Sequence, residues 1–244
     1  MKRFSGVFFL LLIFSGLCAQ SDSTTNLQVD RARNFSLVFN RGLMLTTGRG
    51  DSVPINGSSS GSIFVGGGIK IPFAKNKLGV RITPGFNWNS ITYDQTTTKS
   101  FPSIPDSLPY QLTKEKHFFV RPELGAGVYA NLTKDEDGDT RFFAEAGGFV
   151  SYLLSASYRT TYNNADGQKI QTKVADLETI EDEFIRLHYG IYARLGYKWA
   201  AIYYSWRFTP IFDEFTNEKL RPRNVEGYKN PVIPPMELGL SIFF

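Results

Sequence analysis

Nine charged residues of this 244-residue chain lie in segments where apolar and polar residues alternate, and their types suit ion pairing better than catalysis. Each lies on the polar side of a segment in which apolar and polar residues alternate, so we expect all nine to face one enclosed space. Six are basic and three acidic, which leaves a surplus of positive charge. The pattern predicts an ion-pair network that fills a narrow interior, and it leaves open a small anion-favouring pore or a ligand carrier. The nine residues are Lys70, Arg81, Arg121, Glu123, Glu145, Arg186, Arg194, Arg207 and Glu237.

The chain has two histidines, His117 and His188. A lipid-hydrolysing site needs a histidine beside a serine nucleophile and an acidic group that orients the ring. Both histidines fall on the same polar side as the charges, and no nucleophile-elbow motif accompanies them. We therefore expect no catalytic residue, no cofactor and no metal site. An envelope-lipid-modifying enzyme is the second alternative.

Alternation with a period of two residues organises most of the chain. In the clearest segment, Arg141–Tyr158, one side is entirely apolar or glycine, whereas the other carries Glu145 and several serines. Such alternation predicts β-strands with one apolar face. The eight expected strands are Asn34–Leu45, Gly61–Phe73, Leu78–Asn89, His117–Leu132, Arg141–Tyr158, Ile185–Tyr197, Ala201–Thr209 and Val232–Phe244.

The connections between these strands are alternately short and long. Short ones follow the second, fourth and sixth strands, and long ones follow the first, third, fifth and seventh. This order is typical of an all-β fold, the eight-stranded antiparallel up-and-down transmembrane β-barrel, whose turns face the periplasm and whose long loops face outside. No apolar stretch reaches the roughly 18 residues that a membrane-spanning helix requires.

The distribution of polar residues distinguishes a membrane barrel from a soluble one. A soluble barrel with a ligand cavity would direct its apolar side inward. Here the polar side is rich in Gly and Ser with a few Arg and Glu, which suits a narrow interior better than a water-facing coat. We therefore expect outer-membrane lipid and lipopolysaccharide around the barrel. Aromatic girdles at the two interfaces are expected from Trp88, Tyr93, Tyr158, Tyr162, Tyr197 and Trp199.

The first 19 residues have the layout of a secretory signal peptide. Lys2 and Arg3 precede an apolar run, and small residues lead up to Ala19. We expect cleavage after Ala19, a short periplasmic lead over residues 20–33 and a barrel over residues 34–244. Lipid attachment at Cys18 is the alternative. Loss of Lys2 and Arg3 reduces the 27 basic residues to 25, against 23 acidic ones, which argues against a nucleic-acid partner.

The last segment, Met236–Phe244, alternates and ends on an aromatic residue. Leu238, Leu240, Ile242 and Phe244 share its apolar side. This segment resembles the C-terminal signal strand through which outer-membrane barrels are recognised for insertion. We therefore expect the barrel-assembly machinery as a partner through this strand. An ordinary amphipathic edge strand is the alternative.

Residues 117–132, 141–160 and 188–212 together resemble the PorT-like outer-membrane β-barrel domain family. The most specific phrase is Gly-Phe-Val-Ser-Tyr-Leu-Leu-Ser-Ala at residues 148–156. The resemblance implies an eight-stranded barrel in the outer membrane of a Gram-negative bacterium, and a few members of that family are linked to protein secretion. We expect a structural or accessory protein, either a scaffold with long extracellular loops or a component of an envelope or secretion assembly with an envelope protein as partner.

Overall fold

The described part of the chain is built almost entirely from β-strands. The computed structural model describes residues 34–45, 55–73, 77–93, 112–134, 140–164, 166–176, 184–211, 233 and 235–244. The strands are β1 (Phe35–Met44), β2 (Gly61–Phe73), β3 (Leu78–Tyr93), β4 (Leu112–Lys134), β5 (Thr140–Tyr152), β6 (Ser155–Asn163), β7 (Lys169–Asp176), β8 (Leu187–Tyr197), β9 (Ala200–Arg207) and β10 (Met236–Phe243). A short 3-10 helix, Gly57–Ser59, precedes β2. The predicted signal peptide and periplasmic lead lie outside the described residues. Among the described residues, no helix has the length and apolar character needed to cross a membrane.

Eight of these strands form a closed ring of antiparallel neighbours. The order around the ring is β1, β2, β3, β4, β5, β8, β9, β10, and β1 pairs with β10 to close it. Each strand of the ring therefore has a hydrogen-bonding neighbour on both sides, as hydrocarbon surroundings require. The tight turn from β8 to β9 includes Lys198, which has a φ of 51°. The predicted eight-stranded antiparallel barrel is confirmed.

The ring directs apolar side chains outward and most polar ones inward. In β8, exposed and buried residues alternate along the whole strand. Leu195 is 61 % exposed, whereas its neighbour Arg194 is 7 % exposed. Tilted strands of about 9–11 residues span a bilayer, so the 11 residues of β8 are sufficient. The outward apolar residues include Leu37, Ile63, Val65, Leu124, Val128, Leu132, Leu187, Tyr189, Ile202 and Leu240.

Part of β4, together with β6 and β7, forms an extension beyond the ring at the end where the long connections lie. The first half of β4 pairs with β6, and β6 pairs on its other side with β7. In the turn from β6 to β7, the side chain of Asn164 accepts hydrogen bonds from the backbone N–H groups of Asp166 and Gln168. Gly167 has a φ of 76°, a conformation that costs glycine little. The long connection predicted after the fifth strand therefore contains a further strand, β7, which forms a hairpin with β6.

Where β5 passes into β6, the chain has one residue more than the opposing stretch of β4. Three residues lie between Ser151 and Ser155, whereas two lie between their partners Glu123 and Val120 on β4. Such a β-bulge exchanges the inward and outward sides of the strand that follows it. Tyr158, which the sequence pattern places outward, is consequently 1 % exposed and faces inward.

The girdle prediction is wrong for two residues, Tyr158 and Tyr93, which both face inward. Tyr158 is turned inward by the bulge. Tyr93 is 2 % exposed because β3 continues past its predicted end and carries this residue on the same inward side as Arg81. At the opposite end of the barrel, Tyr197 and Trp199 are 47 % and 61 % exposed, which is the outward position expected of girdle residues.

A separate apolar core, here termed the cap, lies at the long-loop end of the barrel. It joins residues of β4 and β6 to the ends of β1 and β3 and to residues of three connecting segments. Burial of this apolar surface holds the extension of β4 and β6 against the ring. The cap consists of Met44, Ile91, Tyr93, Phe119, Leu153, Ala156, Tyr158, Phe184, Ile211 and Ile233.

An arginine on the outward side tests which surface of the barrel meets lipid. Val128 is 54 % exposed on the part of β4 that belongs to the ring. A lipid-facing arginine near the midplane lowers the free energy of unfolding by roughly 2–4 kcal/mol, and we expect this loss for Val128→Arg. The control Asp166→Arg, in the exposed turn, should change it by less than about 0.5 kcal/mol. Urea titration of protein refolded into phospholipid vesicles measures both. Equal tolerance of the two arginines would mean that water, not lipid, contacts Val128.

Candidate functional site

Glu145 is the centre of the lumen charge network. Its side chain is fully buried and lies between two guanidinium groups. Nη1 of Arg81 donates to Oε2 at 2.6 Å, and Nη1 of Arg194 donates to Oε1 at 3.0 Å. The hydroxyl of Tyr192 donates to the same Oε1 at 2.9 Å. These charge-assisted hydrogen bonds connect β3 and β8 to β5 through the interior of the barrel.

Two facing glycines leave room for this arrangement. Gly127 on β4 and Gly147 on β5 are direct partners, and Arg81 on β3 lies opposite Gly127. A Cβ atom on Gly127 would come within 2.6 Å of the Tyr192 hydroxyl. The absence of side chains here lets Arg81 and Tyr192 extend across the lumen towards Glu145.

Aromatic rings surround the two guanidinium groups. The guanidinium of Arg81 lies 4.5 Å from the ring centre of Phe243 and 5.5 Å from that of Phe143. That of Arg194 lies 4.6 Å from the ring centre of Tyr192. Ring faces attract cations, and these contacts also fill the cross-section of the lumen with side chains. At the level of Glu145 the interior is therefore packed.

A second group of polar residues lies nearer the long-loop end. Ser62 donates to Oε2 of Glu237 at 2.6 Å, and Nδ2 of Asn89 approaches Oε1 of Glu237 at 3.3 Å. The Nε of Arg121 donates to Oδ1 of Asn89 at 3.1 Å, and its Nη2 donates to the same oxygen. Arg121 and Glu237 form no direct ion pair, and Asn89 connects them through its side-chain amide.

Glu123, the third inward carboxylate, has an amide partner. Nδ2 of Asn87 donates to its Oε2 at 2.8 Å. The cavity beside it has a volume of about 50 Å³, which is room for a few water molecules. Sites for drug-sized ligands measure roughly 300–1,000 Å³, so this space is too small for such a ligand. Its charged lining consists of Arg121, Glu123, Arg194, Arg207 and Glu237.

Lys70 and Arg207 also lie on the inward side of their strands. Lys70, on β2, is half-buried opposite Arg81 and has no ion-pair partner within the described ranges. Arg207 is 6 % exposed, and its Nε donates to the carbonyl oxygen of Thr209 at 3.0 Å. Both positions agree with the alternation read from the sequence.

Arg186 does not join the other eight predicted residues in the lumen. It precedes the first residue of β8, so the alternation of that strand does not extend to it. Its Nη1 donates to the hydroxyl of Tyr152 at 3.2 Å. The side chain of Tyr152 is 41 % exposed on the outward face. Arg186 therefore lies at the rim, and its predicted place in the lumen is wrong.

The two histidines are both buried, at 2 % and 1 % exposure for His117 and His188. Nδ1 of His188 lies 3.3 Å from Oγ1 of Thr209, and Ser151 is its cross-strand partner on β5. Since neither histidine faces the outer surface, the described residues place no histidine beside a serine where lipid would contact it.

His117 packs against residues of the cap, beside a buried carboxylate. The hydroxyl of Tyr93 is 3.0 Å from Nδ1 of His117, and the ring of Tyr158 stacks on the imidazole with a centroid distance of 4.8 Å. The hydroxyl of Tyr158 donates to Oε1 of the fully buried Glu115 at 2.5 Å. Burial lowers the pKa of His117 from its usual 6.5 to about 3, so the ring is neutral at pH 7.

Three residues of the predicted insertion signal lie on β10, and the fourth, Phe244, directly follows it. Leu238, Leu240 and Phe244 are 44 %, 61 % and 76 % exposed, and Ile242 is partly covered on the same side. β10 pairs with β1 and β9 along most of its length. The four side chains therefore belong to the outward apolar surface of the ring.

Sequence reasoning missed the neutral residues that connect the charges. Asn89, Tyr192 and Tyr203 fall on the inward sides of their strands. The alternation of the sequence could therefore have identified them as lumen residues. Asn40 also takes part. When its side-chain amide is oriented so that both its oxygen and its nitrogen form hydrogen bonds, the oxygen accepts one from Nη2 of Arg194 at 3.2 Å. The hydroxyl of Tyr203 lies 3.3 Å from that of Ser62. The described residues contain no group of three or more His, Cys, Asp or Glu that could hold a metal ion.

Removal of the central carboxylate is expected to destabilise the barrel strongly. Glu145→Gln leaves two buried guanidinium groups without their counter-charge, which costs roughly 3–5 kcal/mol of unfolding free energy. Glu123→Gln, the control, should cost less because the partner of Glu123 is a neutral amide. Adding Arg81→Met to Glu145→Gln should recover part of the loss. Urea unfolding of all variants in vesicles measures these differences, and strictly additive effects of the two substitutions would contradict the coupling.

Acidification is expected to loosen the cap. Because the folded state depresses the pKa of His117, the unfolded chain binds more protons between pH 6.5 and about 3. The stabilisation is complete above pH 6.5 and is lost as the pH falls towards about 3, with a cost of about 3 kcal/mol at pH 4. Hydrogen exchange of β6 amides, corrected for intrinsic rates, should show this opening. The variant His117→Phe should remove the pH dependence, and an unchanged profile in that variant would assign it to another group.

Comparison with known proteins identifies the family. A family model described as the outer membrane protein beta-barrel domain matches residues 18–213. No curated protein matches the chain at a significant level. The matched range covers most of the chain and includes all strands from β1 to β9. Together with the closed ring and its apolar exterior, this match shows that the chain belongs to the outer membrane protein beta-barrel domain family and is an integral barrel protein of the outer membrane.

Proposed function

We propose that this protein has a structural or accessory role, as a closed barrel that holds an external β-extension in place. The observation that carries the proposal is the packed lumen at Glu145. Eight strands leave an interior just wide enough for side chains. Here Arg81, Arg194 and Tyr192 all converge on one carboxylate within 3.0 Å. A hydrated ion or a substrate would have to displace these buried pairs.

The extension of β4, β6 and β7 supports a display role. β4 has 23 residues, more than a bilayer requires, and its first half belongs to the extension. The cap anchors this part, since Tyr158 of β6 binds Glu115 of β4 inside a buried cluster. A rigidly held hairpin presents its edge and turn to a partner with little loss of conformational entropy on binding.

The resemblance to PorT-like barrels favours a component of an envelope or secretion assembly. On this proposal the N-terminal signal peptide exports the chain, and β10 engages the barrel-assembly machinery through Leu238, Leu240, Ile242 and Phe244. The long-loop end, with the β6–β7 hairpin, faces the cell exterior, where lipopolysaccharide and an envelope protein are its partners. The buried positions of His117 and His188 favour a role without catalysis.

Single-channel recording tests the closed lumen. The refolded barrel should give no conductance steps in planar bilayers. A variant with alanine at positions 81, 145 and 194 is the control that opens the cross-section, and its heat-modifiable migration checks that it folds. Anion-selective steps from the unmodified protein would favour the pore alternative instead.

Co-purification in mild detergent tests the display role in the same preparation. A stable envelope protein should accompany the full chain and be lost when a short Gly-Ser linker replaces residues 166–176. The control Lys77→Gln/Arg141→Gln, at the short-turn end, should retain it. Retention of the same partner without the hairpin would remove the display role from this segment.

A further inference from the structure

We propose that the outward face of the extension binds the phosphate groups of lipopolysaccharide in the surrounding outer leaflet, through a basic row formed by Lys116 and Arg159. This inference rests on the proposed external orientation of the long-loop end. It assigns a lipid headgroup site to residues that take no part in the lumen network.

Strand register places the two basic residues of the row side by side. Lys116 on β4 is the direct partner of Arg159 on β6, and Arg159 is in turn the direct partner of Lys173 on β7. Directly opposed like charges destabilise a sheet. The row therefore costs stability in the isolated protein, and an anion bound across it would remove that cost.

In the part of the chain that the structure describes, no carboxylate neutralises the row. Lys116 and Arg159 form no ion pair within the described ranges, and both are half-buried. The pKa of Lys116 is lowered, first by burial and then by the neighbouring charges of Lys114 and Arg159. The nearest carboxylate along β4, Glu115, points to the inward side and binds Tyr158. Lys116 and Arg159 thus repel one another, and the described residues provide no counter-ion for them.

The position of the row along β4 suits a lipid headgroup. Lys116 has the same outward parity as Phe118, Val120 and the exposed Leu124, and it follows them towards the exterior. The guanidinium of Arg159 lies 5.5 Å from the ring centre of Phe118. An aromatic ring under a cation, directly beyond the apolar band, is the arrangement expected where acyl chains give way to charged headgroups.

The chemistry of the row favours a phosphate over a carboxylate. Arginine presents a planar fork of N–H donors that matches phosphate oxygens, and lysine adds a point charge. Basic residues near an anionic membrane surface contribute about 1 kcal/mol each. Two adjacent cations suit the multiple negative charges of a phosphorylated glycolipid better than a single carboxylate.

Titration with lipid A tests this site on the full mature chain in detergent micelles. The probes are bisphosphorylated lipid A and the same lipid after removal of both phosphates, and native mass spectrometry reads the bound fraction. Lys116→Gln/Arg159→Gln should weaken binding of the phosphorylated lipid by about tenfold or more and should leave binding of the dephosphorylated lipid unchanged. The unfolding midpoint without lipid should not fall, because the substitutions relieve repulsion.

The matched control is Lys77→Gln/Arg141→Gln, which removes two exposed basic side chains at the short-turn end. It should bind phosphorylated lipid A as the unmodified protein does. Equal weakening in the control, or equal affinity for both lipids, would overturn the site. Labelling of Lys169 in intact cells by a membrane-impermeant reagent reports orientation separately. If Lys169 is not labelled, the proposed external orientation is wrong. If Lys169 is labelled but the protein does not prefer the phosphorylated lipid, the proposed basic row is wrong.

Discussion

The closing pair of strands, β1 with β10, is the constraint on which the rest of this structure depends. Backbone N–H and C=O groups have no partner in hydrocarbon, so strands can span a membrane only when the sheet has no open edge. Here the backbone N–H of Leu37 donates to the carbonyl of Phe244 at 2.9 Å, and the N–H of Phe244 returns the bond at 3.0 Å. Once the ring closes, every second side chain must point into a space that eight strands leave narrow.

The content of that space follows from the same closure. Apolar residues occupy the outward positions, so the inward positions can take polar groups, but only if each charge is compensated. Glu145 forms ion pairs with two guanidinium groups at once, and aromatic rings lie against their faces. Amides complete the interior near the long-loop end, where Asn89 lies between Arg121 and Glu237. The side chains that stabilise the barrel by packing in its lumen therefore also block the lumen.

The bulge between β5 and β6 converts a plain barrel into one with an extension. β4 carries Pro122 at this level, and proline has no N–H to donate. The backbone of Val120 on β4 faces this side, since its carbonyl accepts from Leu154 at 3.0 Å. Pro122 lies two residues further along β4, so its backbone faces the same neighbouring strand as that of Val120. A bulge is one of the few places in a sheet that tolerates a missing N–H donor. Beyond it, β5 gives way to β6, and the neighbour on the far side changes from β8 to β7.

The sequence by itself determined the strands of the ring, the outward apolar side and most of the inward charges, because a period of two residues is a local property of the chain. It placed Arg81, Glu145 and Arg194 on one side of their strands, but it could not say that one carboxylate binds both cations. Only the tertiary structure decided this, since the contact depends on the stagger of β3, β5 and β8 and on the room left by Gly127 and Gly147. The inward positions of Tyr158 and Tyr93 and the rim position of Arg186 were likewise decided there. A single extra residue exchanges the inward and outward sides of everything that follows it in the strand. The pairing that fixes where this happens, and where a strand ends, joins residues far apart in the chain.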